Sequence, residues 1–166
     1  MLRHCRIAMA SGLLIALAAC VPAPPPDAPA AGSGDTSAPQ SRTLATPGSV
    51  APALNAYRAS GGLTPLTAHP ALMRAAQDQA AYLAATGRTG HTGRGGSSVM
   101  DRVRAQGLQA CLVAENLSFG YPTAAQAVAG WKGSAGHNRN MLLPNASLYG
   151  EGHAGAVRVL VLARPC

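Results

Sequence analysis

This 166-residue chain is poor in the side chains that carry most protein chemistry. Only 11% of its residues are charged and 4% aromatic; Glu115 and Glu151 are its only glutamates, Lys132 its only lysine and Trp131 its only tryptophan. The scarcity of aromatics and the scatter of the arginines exclude the basic stripe with interleaved aromatics that marks a nucleic-acid binder. No apolar run is long enough for a convincing membrane-spanning helix: the longest, Ile7 to Ala19, is interrupted by Ser11 and Gly12 and soon followed by Pro22. No internal repeat and no complete catalytic set is visible.

What is present at the start has the form of an export signal, with Arg3 and Arg6 ahead of that apolar run. Its end, Leu17-Ala18-Ala19-Cys20, resembles the lipobox of bacterial lipoproteins, in which the chain is cut before the cysteine and the sulfur is lipidated. Residues 1–19 are therefore expected to be a lipoprotein signal peptide; the alternative is a soluble secreted protein cut after an A-x-A-like site. Each buried methylene of the lipid on Cys20 contributes about 0.8 kcal/mol, so two or three acyl chains anchor the chain to a membrane. Val21, in place of the aspartate that retains lipoproteins at the inner membrane, points to the outer membrane, with the protein facing the periplasm or exterior.

Residues 20–48 are rich in Pro, Ala, Gly, Ser and Thr. Such a segment buries too little apolar surface to offset its ordering entropy and is expected to be a stiff, extended tether. Loss of Arg3 and Arg6 reduces the net charge from +7 to +5, a dispersed excess that favours anionic surfaces only weakly. With Cys5 in the signal and Cys20 lipidated, Cys111 and Cys166 remain as a candidate disulfide in an oxidising compartment, two free buried thiols being the alternative.

A single folded domain is expected over residues 49–166. Val50, Leu54 and Tyr57 recur at helical spacing and Gly61-Gly62 ends that helix. A second helix starts at Pro70, with Leu72, Ala75, Ala76, Gln79, Ala80 and Leu83 on one alanine-rich face, and stops at Gly87. A loop to Gly96 carries His91. Ser98 with Asp101 resembles a capping box for a third helix, whose Val99 and Val103 point inward and whose Asp101, Arg102 and Arg104 form a wet face. Cys111 to Gly120 reads as a strand, and Thr123 with Gln126 as the capping box of a helix with Trp131 on its core side. Gly130 and Gly133 weaken that helix and imply close backbone approach, or a helix that yields to a small-residue turn bearing Ser134, Gly136 and His137. Ser147 to His153 and Ala156 to Ala163 read as a hairpin with alternating faces. Helices and strands in this order imply an α/β fold, a small, mostly antiparallel sheet covered by helices on both faces.

In sequence order, Asn55, Arg58, Gly62-Leu63, Pro65-Leu66, His91, Arg102, Gly107, Ala114-Glu115-Asn116-Leu117, Trp131, Ser134, Gly136-His137, Asn140-Met141-Leu142, Gly150 and Gly152 resemble the CAP superfamily of cysteine-rich secretory proteins, antigen 5 and pathogenesis-related 1 proteins, in its short bacterial form. The W-x-x-S-x-G-H-x-x-N segment is the most specific part. The resemblance implies a three-layer α-β-α sandwich with a central cavity where two histidines and one or two glutamates bind a divalent metal in some members. Matched by position, His91 and His137 stand for the histidines and Glu115 for one glutamate. The second glutamate falls near Ser134, which leaves three of four ligands.

The resemblance implies a ligand-binding rather than catalytic role. The expectation is a monomeric, membrane-anchored envelope module that binds a lipid, an envelope polymer or a protein without turnover. Its rival is a hydrolase dependent on zinc or another divalent metal held by His91, Glu115 and His137. Two further readings concern the same residues: Ser134 as a nucleophile with His137 as its base, and Glu115 as a structural acceptor for both histidines.

Overall fold

A computed structural model describes residues 48–166. The expected signal peptide, Cys20 with its expected lipid, and all of the expected tether but its last residue lie outside the described residues. The elements run α1 (Ala51–Ser60), β1 (Thr67–Ala68), α2 (Pro70–Thr86), α3 (Val99–Ala105), β2 (Ala110–Phe119), α4 (Ala124–Lys132), α5 (Ala135–Met141), β3 (Leu148–Ala154) and β4 (Val157–Pro165), with a 3-10 turn at Arg94–Gly96. The local signals explain most of these boundaries. His69 caps α2 by accepting from the Ala71 N–H at 3.3 Å, and Gly87 ends that helix at φ 67°. Reciprocal capping boxes open α3 at Ser98/Asp101 and α4 at Thr123/Gln126.

The sheet has the order β1-β3-β4-β2, antiparallel except for the two-residue parallel contact of β1 with β3. β4 is buried on both faces. Its Val157, Val159 and Val161 meet α2 and α3, while Leu160 and Leu162 join α1, α4 and α5 in the second core. The result is the expected α-β-α sandwich with two hydrophobic layers, one on each side of the sheet. No helix among the described residues is long and apolar enough to cross a membrane.

α2 sits directly on β3. A methyl group on Gly150 would lie 2.1 Å from the Leu72 backbone and one on Gly152 2.4 Å from that of Ala76, so the alanine face of α2 and the two glycines together permit this approach. Gly130 plays a related part on α4, where a methyl would meet the Tyr121 ring. Cys111 and Cys166 form the disulfide, which ties the end of β4 to the start of β2 across 55 residues. On the chain-entropy estimate a loop of that length contributes about 4 kcal/mol.

Besides the short strand β1, which the sequence reading lacks, one helix and one side chain depart from that reading. The segment with Ser134, Gly136 and His137 is not a turn but the helix α5, preceded by Ser134. Its composition hides it, since Met141 is its only buried residue and supplies no apolar period. Arg102 is not on a wet face: its side chain is 10% exposed and points at the sheet.

Candidate functional site

The free edge of β2 carries the site. Glu115 pairs with Val161 in the ladder and shares its face of the sheet with Leu117, the face covered by α2 and α3. Its side chain is 2% exposed, so an ionised carboxylate there must be compensated. Compensation comes from Arg102 on α3, whose Nη2 donates to Oε2 at 2.6 Å. The second oxygen, Oε1, lies 2.9 Å from His91 Nδ1, which must be the protonated nitrogen because a carboxylate only accepts. Arg102 also holds the loop that brings His91 in, since Nη1 donates to the carbonyls of His91 at 3.1 Å and Ser97 at 3.0 Å. The His91 side chain is nevertheless 60% exposed, leaving the rest of its ring to solvent.

His137 approaches from the other layer. Asn116 Nδ2 donates to the His137 carbonyl at 3.0 Å, and Asn140 Nδ2 donates to the Glu115 carbonyl at 3.2 Å and to Asn116 Oδ1 at 2.9 Å. Trp131 Nε1 donates to the Leu117 carbonyl at 2.9 Å. Carbonyls of an edge strand are thus taken by side chains of α4 and α5 instead of another strand. Partial burial, with the nearby His91 charge as the smaller cause, holds the His137 imidazole below its ordinary proton affinity.

Among the described residues the His137 ring makes no hydrogen bond to Glu115, and Ser134 Oγ makes none to His137 or to the backbone of α5. The structure therefore joins His91 to Glu115, and leaves His137 close by but separate. Ser134 has the place of a helix-capping residue with no nucleophilic partner. The joint-acceptor reading of Glu115 holds for His91 and not for His137. Arg102 takes the other place at the carboxylate.

The divalent metal implied by the resemblance does not fit this donor set. Among the described residues no group of three or more His, Cys, Asp or Glu side chains could hold a metal ion. Beside the carboxylate, where a cation would coordinate, the Arg102 guanidinium already supplies positive charge. Glu151, the other glutamate, lies on β3 and accepts from Ser49 Oγ and, at 2.7 Å, from the Val50 N–H. His153 pairs with Arg158 across the hairpin.

Residue-type reasoning missed the role of Arg102, although its signal was there. Val99, Arg102, Val103 and Gln106 follow the i, i+3, i+4, i+7 pattern of an inward helical stripe. Arg58 is a second such case. It is wholly buried and donates to the carbonyls of Thr64, Met141, Leu143 and Ala146, fixing the segment that follows α5.

No curated protein matches the chain. Solved structures do. An extracellular SCP-domain protein from Bacillus anthracis superposes with a TM-score of 0.67 at 19% identity, over 69% of this chain and 39% of that one. An outer surface protein from Borrelia burgdorferi gives 0.66 at 18% identity, over 70% and 90% of the two chains. A cysteine-rich secretory protein from Staphylococcus aureus gives 0.57 at 18%, over 69% and 36%. This chain thus spans well under half the length of two of the three. Identities this low establish a shared fold alone. The sequence pattern of the Cysteine-rich secretory protein family, CAP, matches residues 52–156, nearly the whole folded domain, and the chain belongs to that family.

Proposed function

We propose that this chain is a binding module of the bacterial cell envelope, held at a membrane by lipid on Cys20 and acting without turnover. The observation that carries this reading is the condition of Glu115. Both of its oxygens are engaged, one by a guanidinium at 2.6 Å and one by His91 at 2.9 Å. To take up a proton or a metal ion it must first give up a partner, which in a nearly buried site is costly. A carboxylate so held is suited to fixing the His91 loop. The groups left to meet a ligand are the exposed His91 ring and the half-buried His137 ring, near the free edge of β2.

The envelope location rests on three supports. The lipobox-like Leu17-Ala18-Ala19-Cys20 precedes a proline-rich tether, with Val21 favouring the outer membrane. The Cys111–Cys166 disulfide suits an oxidising compartment. Two of the similar structures are described as an extracellular and an outer surface protein. The ligand would be a lipid, an envelope polymer or a protein, bound by the monomer.

The purified protein is expected to hydrolyse no member of a peptide, ester and glycan panel. Turnover that disappears in His91→Ala would overturn the reading. Zinc is expected to bind without stoichiometry and to leave the melting temperature unchanged; tight binding that depends on Glu115 would restore the metal-dependent hydrolase. Cys20→Ser should move the protein from the membrane fraction to the soluble one, and its continued retention would sink the lipid anchor.

A further inference from the structure

The segment between α5 and β3 carries a motif that the site at His91 and His137 does not use. An asparagine with a serine two residues later and no proline between them is the acceptor sequence of N-linked glycosylation. The chain has it twice, at Asn116-Leu117-Ser118 on β2 and at Asn145-Ala146-Ser147 just before β3. The fold treats the two differently. Asn116 is wholly buried and Ser118 is 4% exposed. The Nδ2 that a sugar would have to join donates to the His137 carbonyl at 3.0 Å, and Oδ1 accepts from Asn140 at 2.9 Å, so the folded chain has no room for a glycan there.

Asn145 and Ser147 are both exposed. Ala146 between them is 2% exposed and belongs to the core, so its neighbours are turned outward. The Ala146 N–H donates to the Leu143 carbonyl at 3.3 Å and closes a turn with Pro144 and Asn145 at its central positions, which puts Asn145 at the tip. The base of the turn is fixed from inside by the buried Arg58, which donates to the carbonyls of Leu143 at 3.0 Å and Ala146 at 3.4 Å. Ser147 is held through its backbone, its N–H donating to the Ala163 carbonyl at 3.1 Å and its own carbonyl accepting from the Thr67 N–H at 3.0 Å. Main-chain groups thus hold this segment in place while its two motif side chains stay at the surface.

We propose that Asn145 is a modification site, the acceptor of an N-linked glycan. The proposal rests on the envelope location proposed above, since the motif has this meaning on the surface loop of an exported chain. The donor is an oligosaccharide joined to a lipid pyrophosphate. Transfer forms a bond from Asn145 Nδ2 to the anomeric carbon of the sugar and breaks the bond from that carbon to the pyrophosphate, which leaves with its lipid. A base of the transferase takes the amide proton, and nothing is oxidised or reduced. At the tip of this turn the glycan projects into solvent without displacing a core side chain, and it adds a bulky, solubilising group to the surface.

Peptide mass mapping of the full chain, purified from the cells that make it, tests the site. Cleavage after arginine and lysine yields residues 140–158 with Asn145 and residues 105–132 with Asn116. The first peptide is expected to carry the added mass of an oligosaccharide and to release sugar fragments on collision, and the second to be bare. Asn145→Gln and Ser147→Ala, both at exposed positions, should each remove the added mass while the chain stays folded. A bare 140–158 peptide from chain recovered at the membrane overturns the proposal and leaves the envelope location standing. A bare peptide from chain retained in the cytoplasm overturns both. Added mass that persists in Asn145→Gln, or that sits on residues 105–132, also overturns the assignment.

Discussion

The two glutamates of this chain sit on strands that flank β4, on opposite faces of one sheet, and they are held in different ways. Glu115 is on β2, opposite Val161 and under α3, and its partners are a guanidinium and an imidazole. Glu151 is on β3, opposite Leu160 and under α1, and its partners are the Ser49 hydroxyl and the Val50 amide. Val50 has no capping side chain of its own, so Glu151 satisfies the start of α1 from another part of the chain. The surroundings differ in the same sense. Beside Glu151 the layers meet backbone to backbone through Gly150 and Gly152, whereas around Glu115 they meet through Arg102, Asn116 and Asn140. The β3 side is built for close packing, and the β2 side for polar groups at a free edge. The polar groups of the candidate site gather on β2 for that reason.

The largest expected effect comes from removing the charge under Glu115. Arg102→Met leaves a nearly buried carboxylate without its cation and should cost about 4 kcal/mol, read as the shift in urea midpoint at unchanged slope. Glu115→Gln in the same chain should recover a good part of that loss, because the uncompensated charge is gone. Without such recovery, the ion pair is not what holds this side together. On the β3 side, Gly150→Ala drives a methyl into the Leu72 backbone and should cost about 3 kcal/mol. The two losses should add in the double variant, since the supports are separate, and a clear departure from additivity would show that the two sides share one.

Smaller still is the loss from Glu151→Ala, about 1–2 kcal/mol, because one buried amide at the start of α1 loses its acceptor while the core is left intact. The pH dependence is the finest test. His137 binds its proton less readily in the fold than at its ordinary value of 6.5, so the unfolded chain takes up more protons as pH falls below that value. Its contribution to stability is complete above that value and is lost on the acid side. His137→Gln should flatten that part of the curve of melting temperature against pH, while Glu151→Gln should leave it in place.

Much of this was legible before any coordinates. The capping boxes at Ser98 and Thr123 and the stops at Gly61, Gly87 and Gly107 are local chemistry, and they bound the helices. The alternation along residues 157–163 separates the two cores because a strand's side chains fall alternately on opposite faces. Helix α5 was hidden because seven residues with one buried apolar side chain carry no period. Arg102 was misplaced because its charge outweighed its position on the inward stripe of α3. A charged residue can occupy such a stripe only when a partner waits across the interface. That partner, Glu115, is on another element, β2, and no local pattern ties the two together.

By itself the sequence determined most of the element order, the sandwich and the family, and left Cys111 and Cys166 as the candidate pair, because these follow from periodicity, capping chemistry, a specific ordered motif and a short count of cysteines. The tertiary structure alone decided which groups share Glu115. His91 and Arg102 reach it, His137 does not, and Gln79 is left with an amide that no atom of the described residues answers. Such choices depend on distances between separate elements, and an ångström there separates a metal ligand from an ion pair.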